Sequence, residues 1–117
     1  KREVYPAEWF AAVPAVIVVT LDRERAERKY QQRGLELYAF QDTSAAMQNM
    51  LLCAADLGFA ACWVGAFDEE ACRRVLDLPA HLRPVAMLPV GYPAADAPLT
   101  DAVMPKRAPL EKILDFV

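Results

Sequence analysis

The sequence predicts one domain that mixes helices with buried strands around a long central helix, and three observations predict it. Between residues 41 and 57 apolar side chains recur at helical spacing on two adjoining stripes, Ala46, Met50, Cys53 and Leu57 on one, Met47, Leu51 and Ala54 on the other. Two runs, AVIVVTL after Pro14 and PVAMLPVGY after Arg83, are apolar without that spacing, as buried strands are. A chain of 117 residues, 56% hydrophobic and 25% charged, can bury one modest core and is short for two. The hydrophobic excess suggests a further buried interface, with a second copy of the chain.

In chain order, residues 1–12 offer Tyr5, Pro6, Trp9 and Phe10 as packing mass, with a short helix over 7–11. Lys1 and Arg2 lead into Glu3, Tyr5, Pro6 and Glu8 rather than an apolar segment, so no cleavable signal is expected. The longest apolar run, residues 10–21, contains Pro14 and Thr20 and is shorter than a membrane span. Its β-branched part is apolar on both faces and is expected to be an interior strand flanked by neighbours. Mixed charges from Asp22 to Gly34 read as a solvated helix, with Glu24 and Arg28 four apart in the favourable order.

The central helix starts at or before Gln41 and keeps Gln41, Asp42, Gln48, Asn49 and Asp56 on its polar side. Leu52 and two alanines intrude there, so a helix covered on most sides is expected. Gly58 stands where a helix ends in a left-handed residue, with Phe59 behind it to fold back. Residues 60–64, with Trp63 and Val64, are a brief buried strand, and Gly65 and Ala66 then expose their backbone. Asp68 opens a helix over 69–76, with Glu69 and Glu70 in the first turn, where carboxylates suit the dipole. Two small residues between a strand end and a capped helix make either a tight turn or a place where a flat ligand meets bare main chain.

Residues 83–92 read as a buried strand that Pro89 places near an edge or a bulge, with Gly91 permitting a sharp exit. His81 is the only histidine and reads as a surface residue. Residues 93–105 form a surface connection; Lys106 and Arg107, taken alone, are surface cations before an amphipathic piece over 110–117 that is helical or lies across a partner.

A net charge of -3 and pI near 5.1 argue against nucleic acid and anionic membrane as partners, since both need a basic face. Cys53, Cys62 and Cys72 fit neither a disulfide framework nor a zinc knuckle, which points to a reducing cytoplasm and to small packing residues. No glycine-rich phosphate loop, G-x-S-x-G elbow or two-histidine metal helix is present. The side chains announce no chemistry, as in a cofactor enzyme whose protein supplies binding and orientation.

In order and spacing, VIVVTLDRER, ELYAFQDTSAAMQNMLLCAADLGFAACWVGAFDEEACRRVLDLPAHLRPVAMLPVGYP and PKRAPLEKIL resemble the flavin-dependent nitroreductase family from Pro14 onward. The resemblance implies an α+β fold: an antiparallel sheet packed by helices, dimerised through the long central helix, with FMN at the subunit interface. It implies a cytoplasmic homodimer in which NAD(P)H reduces the flavin, and the flavin reduces a nitroaromatic, quinone or related small-molecule acceptor in a ping-pong cycle. By position it carries Trp63, Val64, Gly65 and Ala66 to the loop against the ring, with a backbone N–H of Gly65 or Ala66 at N5, and Lys106 and Arg107 to the FMN phosphate. The chain reads as a single domain, residues 1–117, without the Arg-rich helical region with which family members begin. Losing two or three charge-assisted contacts at about 1.5 to 3 kcal/mol each is expected to weaken FMN binding. The alternative is a flavin-free, non-catalytic dimerisation or scaffold domain.

Overall fold

Residues 1–95 and 107–114 are described by the structure, a computed structural model. Lys106 and most of the connection over 93–105 lie outside them, as do residues 115–117. Strands β1 (Ala15–Asp22), β2 (Ala60–Ala61) and β3 (Leu82–Gly91) form an antiparallel sheet in the order β1-β3-β2.

The central place therefore belongs to β3, and β1 is an edge, the reverse of what the sequence suggests. The reason is directional. Successive N–H groups of a strand point to opposite neighbours, and Met87 exchanges both its backbone bonds with Val64, so Pro89, two residues on, also faces the β2 side. Its missing donor costs that ladder alone, while Val16 of β1 stays in register opposite Pro89. The register with β1 does slip once, from Val19↔Ala86 to Thr20↔Pro84, which leaves Val85 as the extra residue of a bulge.

Alternation along β3 sends Met87 to one face and Ala86 and Leu88 to the other. Met87 joins Val64, Val4, Phe10 of α1 (Glu8–Ala12), and Ala71 and Cys72 of α4 (Glu69–Val75). Ala86 and Leu88 pack on Met47 of α3 (Ala39–Asp56). The sheet thus lies between α3 and a layer built from α4 and the N-terminal segment.

Helix α2 (Arg23–Arg33) is capped by Asp22, whose Oδ1 accepts from the Arg25 N–H at 2.9 Å, and it buries no residue, as a solvated helix should. Glu24 and Arg28 do not pair; the ion pairs among the described residues are Arg74–Glu3 and Arg83–Glu69. A π-helical stretch, Gly34–Tyr38, joins α2 to α3, after a break at Gln31, where φ is 51°. Only glycine fits at 34, because a Cβ would stand 2.4 Å from the Ala26 carbonyl oxygen.

At its other end α3 closes as the sequence indicates. Gly58 takes φ 78°, the Phe59 N–H donates to the Ala54 carbonyl at 2.8 Å, and the Gly58 N–H donates to Ala55 at 3.0 Å. Its flanks differ from expectation. Met47 and Ala54 are buried and Met50 and Leu51 half-buried, but Ala46 and Cys53 are exposed, with Leu52 at 61% and Leu57 at 64%. One apolar stripe packs on the sheet; of its neighbour Met50 packs there too, while Ala46, Cys53 and Leu57 stay exposed among the described residues. No helix among the described residues is long and apolar enough to cross a membrane.

Of the cysteines, Cys72 is buried while Cys53 and Cys62 are exposed, so only one serves as the expected packing residue. Burial, and secondarily the Glu69 carboxylate, holds the Cys72 thiol above its ordinary pKa. The folded state therefore keeps a proton that the unfolded chain gives up sooner. This contribution is complete below the ordinary thiol value and is lost as pH climbs through the raised one. Urea unfolding followed from about pH 8 to 10 should show falling stability, and Cys72→Ala should flatten that slope; an unchanged slope would remove Cys72 as its source.

Candidate functional site

The loop after β2 is organised by a single fixed residue. Val64 is 6% exposed, and it and Met87 exchange N–H to carbonyl bonds of 2.9 Å in both directions. Carried on in the register of Ala60↔Gly91, Ala61↔Val90 and Val64↔Met87, the ladder would set Cys62 opposite Pro89 and Ala66 opposite Val85. Pro89 has no hydrogen to donate, and Val85 is the bulged residue. Pairing therefore fails on both sides of Val64.

The consequence is bare main chain. Gly65 and Ala66 are exposed, and neither N–H has a hydrogen-bond partner among the described residues. Trp63, 40% exposed, lies alongside: a Cβ on Gly65 would stand 3.5 Å from its Nε1, an ordinary contact, and φ at 65 is not left-handed. Glycine is not demanded there by crowding or by conformation; what it leaves is an uncovered N–H. The far end is pinned by Asp68, whose N–H donates to Val4 at 3.0 Å and whose Oδ1 accepts from Ala71 at 2.8 Å, capping α4.

Where the bulge parts β3 from this loop, Phe40, Gly65, Arg83, Pro84 and Val85 border a shallow cleft of about 130 Å³. Phe40 and Arg83 also border a groove of about 430 Å³ that continues along Leu21, Leu35 and Glu36. Arg83 is held flat by Glu69: Nε lies 3.0 and 3.2 Å from the two carboxylate oxygens, and Nη2 lies 3.0 Å from one of them. Its Cζ stands 5.6 Å from the centre of the Phe40 ring. Neither Arg83 nor Phe40 is singled out by the sequence, since residues 40, 69 and 83 belong to α3, α4 and β3 and no local spacing joins them.

Trp63, Val64, Gly65 and Ala66 are consecutive in one loop, and of the four Gly65 borders the cleft while Val64 is buried in the core. Arg107 is exposed and borders neither the Gly65 cleft nor its continuation, and Lys106 lies outside the described residues. His81 is half-buried and uses its backbone carbonyl, which accepts from the Arg23 N–H at 2.9 Å. Among the described residues no group of three or more His, Cys, Asp or Glu is placed to hold a metal ion.

Free N–H donors beside an indole suit the polar edge of a flat heteroaromatic ring such as a flavin. A cleft of about 130 Å³ is well under the ~300 to 1,000 Å³ of a complete small-molecule pocket.

The profile of the Nitroreductase family matches residues 1–92, a span that takes in the N-terminal segment and stops short of Lys106 and Arg107. A Methanothermobacter thermautotrophicus protein whose name carries both NADH dehydrogenase and NAD(P)H nitroreductase is 41% identical over 76 residues, which are 62% of this chain and 40% of that protein. A nitroreductase family protein of Clostridium difficile 630 superposes with a TM-score of 0.74 at 26% identity, over 98% of this chain and 66% of its own. One from Clostridium novyi NT is 36% identical with a TM-score of 0.59, over 69% of this chain and 44% of its own. The chain spans about two-fifths of the length of the curated relatives it matches.

Amide hydrogen exchange tests the broken ladder. The Val64 and Met87 N–H groups should be protected and those of Gly65 and Ala66 should exchange at nearly unstructured rates; protection of Ala66 comparable to that of Val64 would mean that the ladder is continuous, whereas the Gly65 N–H, turned away from β3, exchanges fast in either case.

Proposed function

The chain belongs to the nitroreductase family, and from that premise we propose that it forms an FMN-dependent oxidoreductase passing electrons from NAD(P)H to nitroaromatic, quinone or related acceptors. The observation that carries this reading is the pair of exposed, unpaired N–H groups at Gly65 and Ala66, held beside Trp63 by the Val64–Met87 bonds. FMN held by these residues would supply the redox chemistry that links NAD(P)H oxidation to reduction of the acceptor in a ping-pong cycle. The protein's part is binding and orientation.

We assign the N5 edge of the ring to the Gly65 or Ala66 N–H. A fixed backbone donor there supports the reduced ring without a titrating side chain and needs no rearrangement at the moment of transfer. Trp63 and Val64 form the wall that sets the plane and keeps water from that side. Lys106 and Arg107 are assigned to the phosphate, where a doubly charged anion calls for fixed cations.

A second copy completes the site. The exposed stripe of Ala46, Cys53 and Leu57 on α3, with Leu52 beside it, is apolar surface of the kind a homodimer covers. Arg107 borders no part of the cleft in its own chain, which favours its serving the partner's loop. The whole chain, residues 1–117, acts here as one nitroreductase-like domain.

The test is optical. Purified protein, or protein titrated with FMN, should be yellow and should bleach on addition of NADPH or NADH. Gly65→Val, whose Cβ the backbone and the neighbouring indole accommodate, should weaken FMN about tenfold, as expected for one obstructed hydrogen bond, with Gly65→Ala as the milder control for stability. Colourless protein that takes up no flavin from excess FMN while staying dimeric would replace this reading with a flavin-free dimerisation domain.

The dimer has its own measurement. Leu57→Asp places a charge on the uncovered stripe and should convert the dimer to a monomer by light scattering, with loss of flavin affinity. A variant that stays dimeric and yellow would move the interface elsewhere.

A further inference from the structure

We propose that Arg83 determines acceptor specificity by reading a single carboxylate on an aromatic substrate, an inference that rests on the oxidoreductase reading above. The guanidinium stands at the junction of the Gly65 cleft and the longer groove, bordering both. It has five N–H donors. One on Nε and one on Nη2 go to Glu69, so three of the five remain without a partner among the described residues.

A purely structural role explains this geometry poorly. The side chains of Arg83 and Glu69 are 44% and 35% exposed, and pairs so open to water contribute little to stability. What Glu69 and the Phe40 ring do accomplish is to fix the plane of the guanidinium. A cation held flat by two neighbours has already lost its side-chain freedom, so a ligand need not order it.

The surroundings select the ligand. Leu21, Leu35 and Phe40 give the groove one apolar flank suited to an aromatic body, Arg23, Gln32 and Glu36 complete its lining, and Gly65 in the cleft that shares Arg83 puts that body next to the proposed flavin wall. Glu69 and Glu36 border the same two spaces. They oppose a doubly charged phosphate more than a singly charged carboxylate, and the guanidinium fork matches a planar carboxylate with two parallel bonds.

Calorimetric titration of the full chain with 4-nitrobenzoate, its uncharged isostere 4-nitrobenzamide, and 4-nitrophenyl phosphate decides the matter. The natural protein should bind the benzoate about tenfold more tightly than the amide, the scale of one charge-assisted hydrogen bond. Arg83→Gln should bring that ratio close to one, and Arg83→Lys, which keeps the charge without the fork, should restore part of it. A structural role alone would not move this ratio. The assignment fails if Arg83→Gln retains the preference, if the phosphate binds more tightly than the benzoate, or if the natural protein does not distinguish benzoate from amide. Should Arg83→Gln not fold, full retention of the ratio in Arg83→Lys overturns the bidentate reading, and a partial loss upholds it. The visible spectrum of the same sample reports separately on the flavin. Colour without a carboxylate preference sinks only this inference, and a preference in colourless protein sinks only the flavin reading.

Discussion

A strand bonds its neighbour only where each offers both a donor and an acceptor, and β3 fails to do so twice within five residues. Pro89 lacks the hydrogen, and Val85 is thrown out of register by the bulge. Between these gaps only Val64 and Met87 pair fully. The free N–H of Ala66, the placement of Trp63 and the cleft beside Pro84 follow from that one interrupted ladder, while the Gly65 N–H is free because alternation turns it away from β3. Ordinarily an unspent donor is a liability that a sheet edge must hide. Here it stays exposed beside an indole, where water satisfies it until a ligand does.

Much of this was legible in the sequence, and the misses share a cause. The stop at Gly58, the Asp68 cap and the two apolar strand runs depend on one residue and its near neighbours, and all appear as read, while the Asp22 cap was not read from the sequence. The order of strands was not legible, because the rule that sends proline to an edge counts a missing donor without knowing which way it points. At Pro89 it points to β2, so a central strand tolerates it. The Arg83–Glu69 pair was not legible either, since it joins β3 to α4 through a fold that sequence spacing does not encode. The exposure of Cys53 belongs to a third kind: its stripe is apolar, but the described residues set nothing against Cys53 itself.

That uncovered stripe bears on energetics. On the α3 face the fully buried residues are Met47, Ala86 and Leu88, while Leu52 and Leu57 of the same helical segment stand more than half exposed. At roughly 25 cal/mol per Å² of apolar surface removed from water, covering a few such side chains is worth several kcal/mol, comparable to the whole margin by which a domain of this size is stable. Any association through this stripe would therefore be coupled to stability, and a substitution on it would act on both.

The bulge has a second effect, which ties the loop to the groove. Without an extra residue, Arg83 would share the face of Met87, under α4, because side chains alternate with a strict period of two. Inserting Val85 inverts that alternation. The register shows the inversion: Val19 pairs with Ala86 and Leu21 with Arg83, and Val19 and Leu21, two apart on β1, lie on the α3 side of the sheet. Arg83 is thereby delivered to Phe40 on α3 while Glu69, at the start of α4, still reaches it around the end of the strand. A single inserted residue both withholds a partner from Ala66 and carries a guanidinium to the edge of the space so opened. Deleting Val85 would undo both at once, so the free Ala66 N–H and the position of Arg83 share one structural cause.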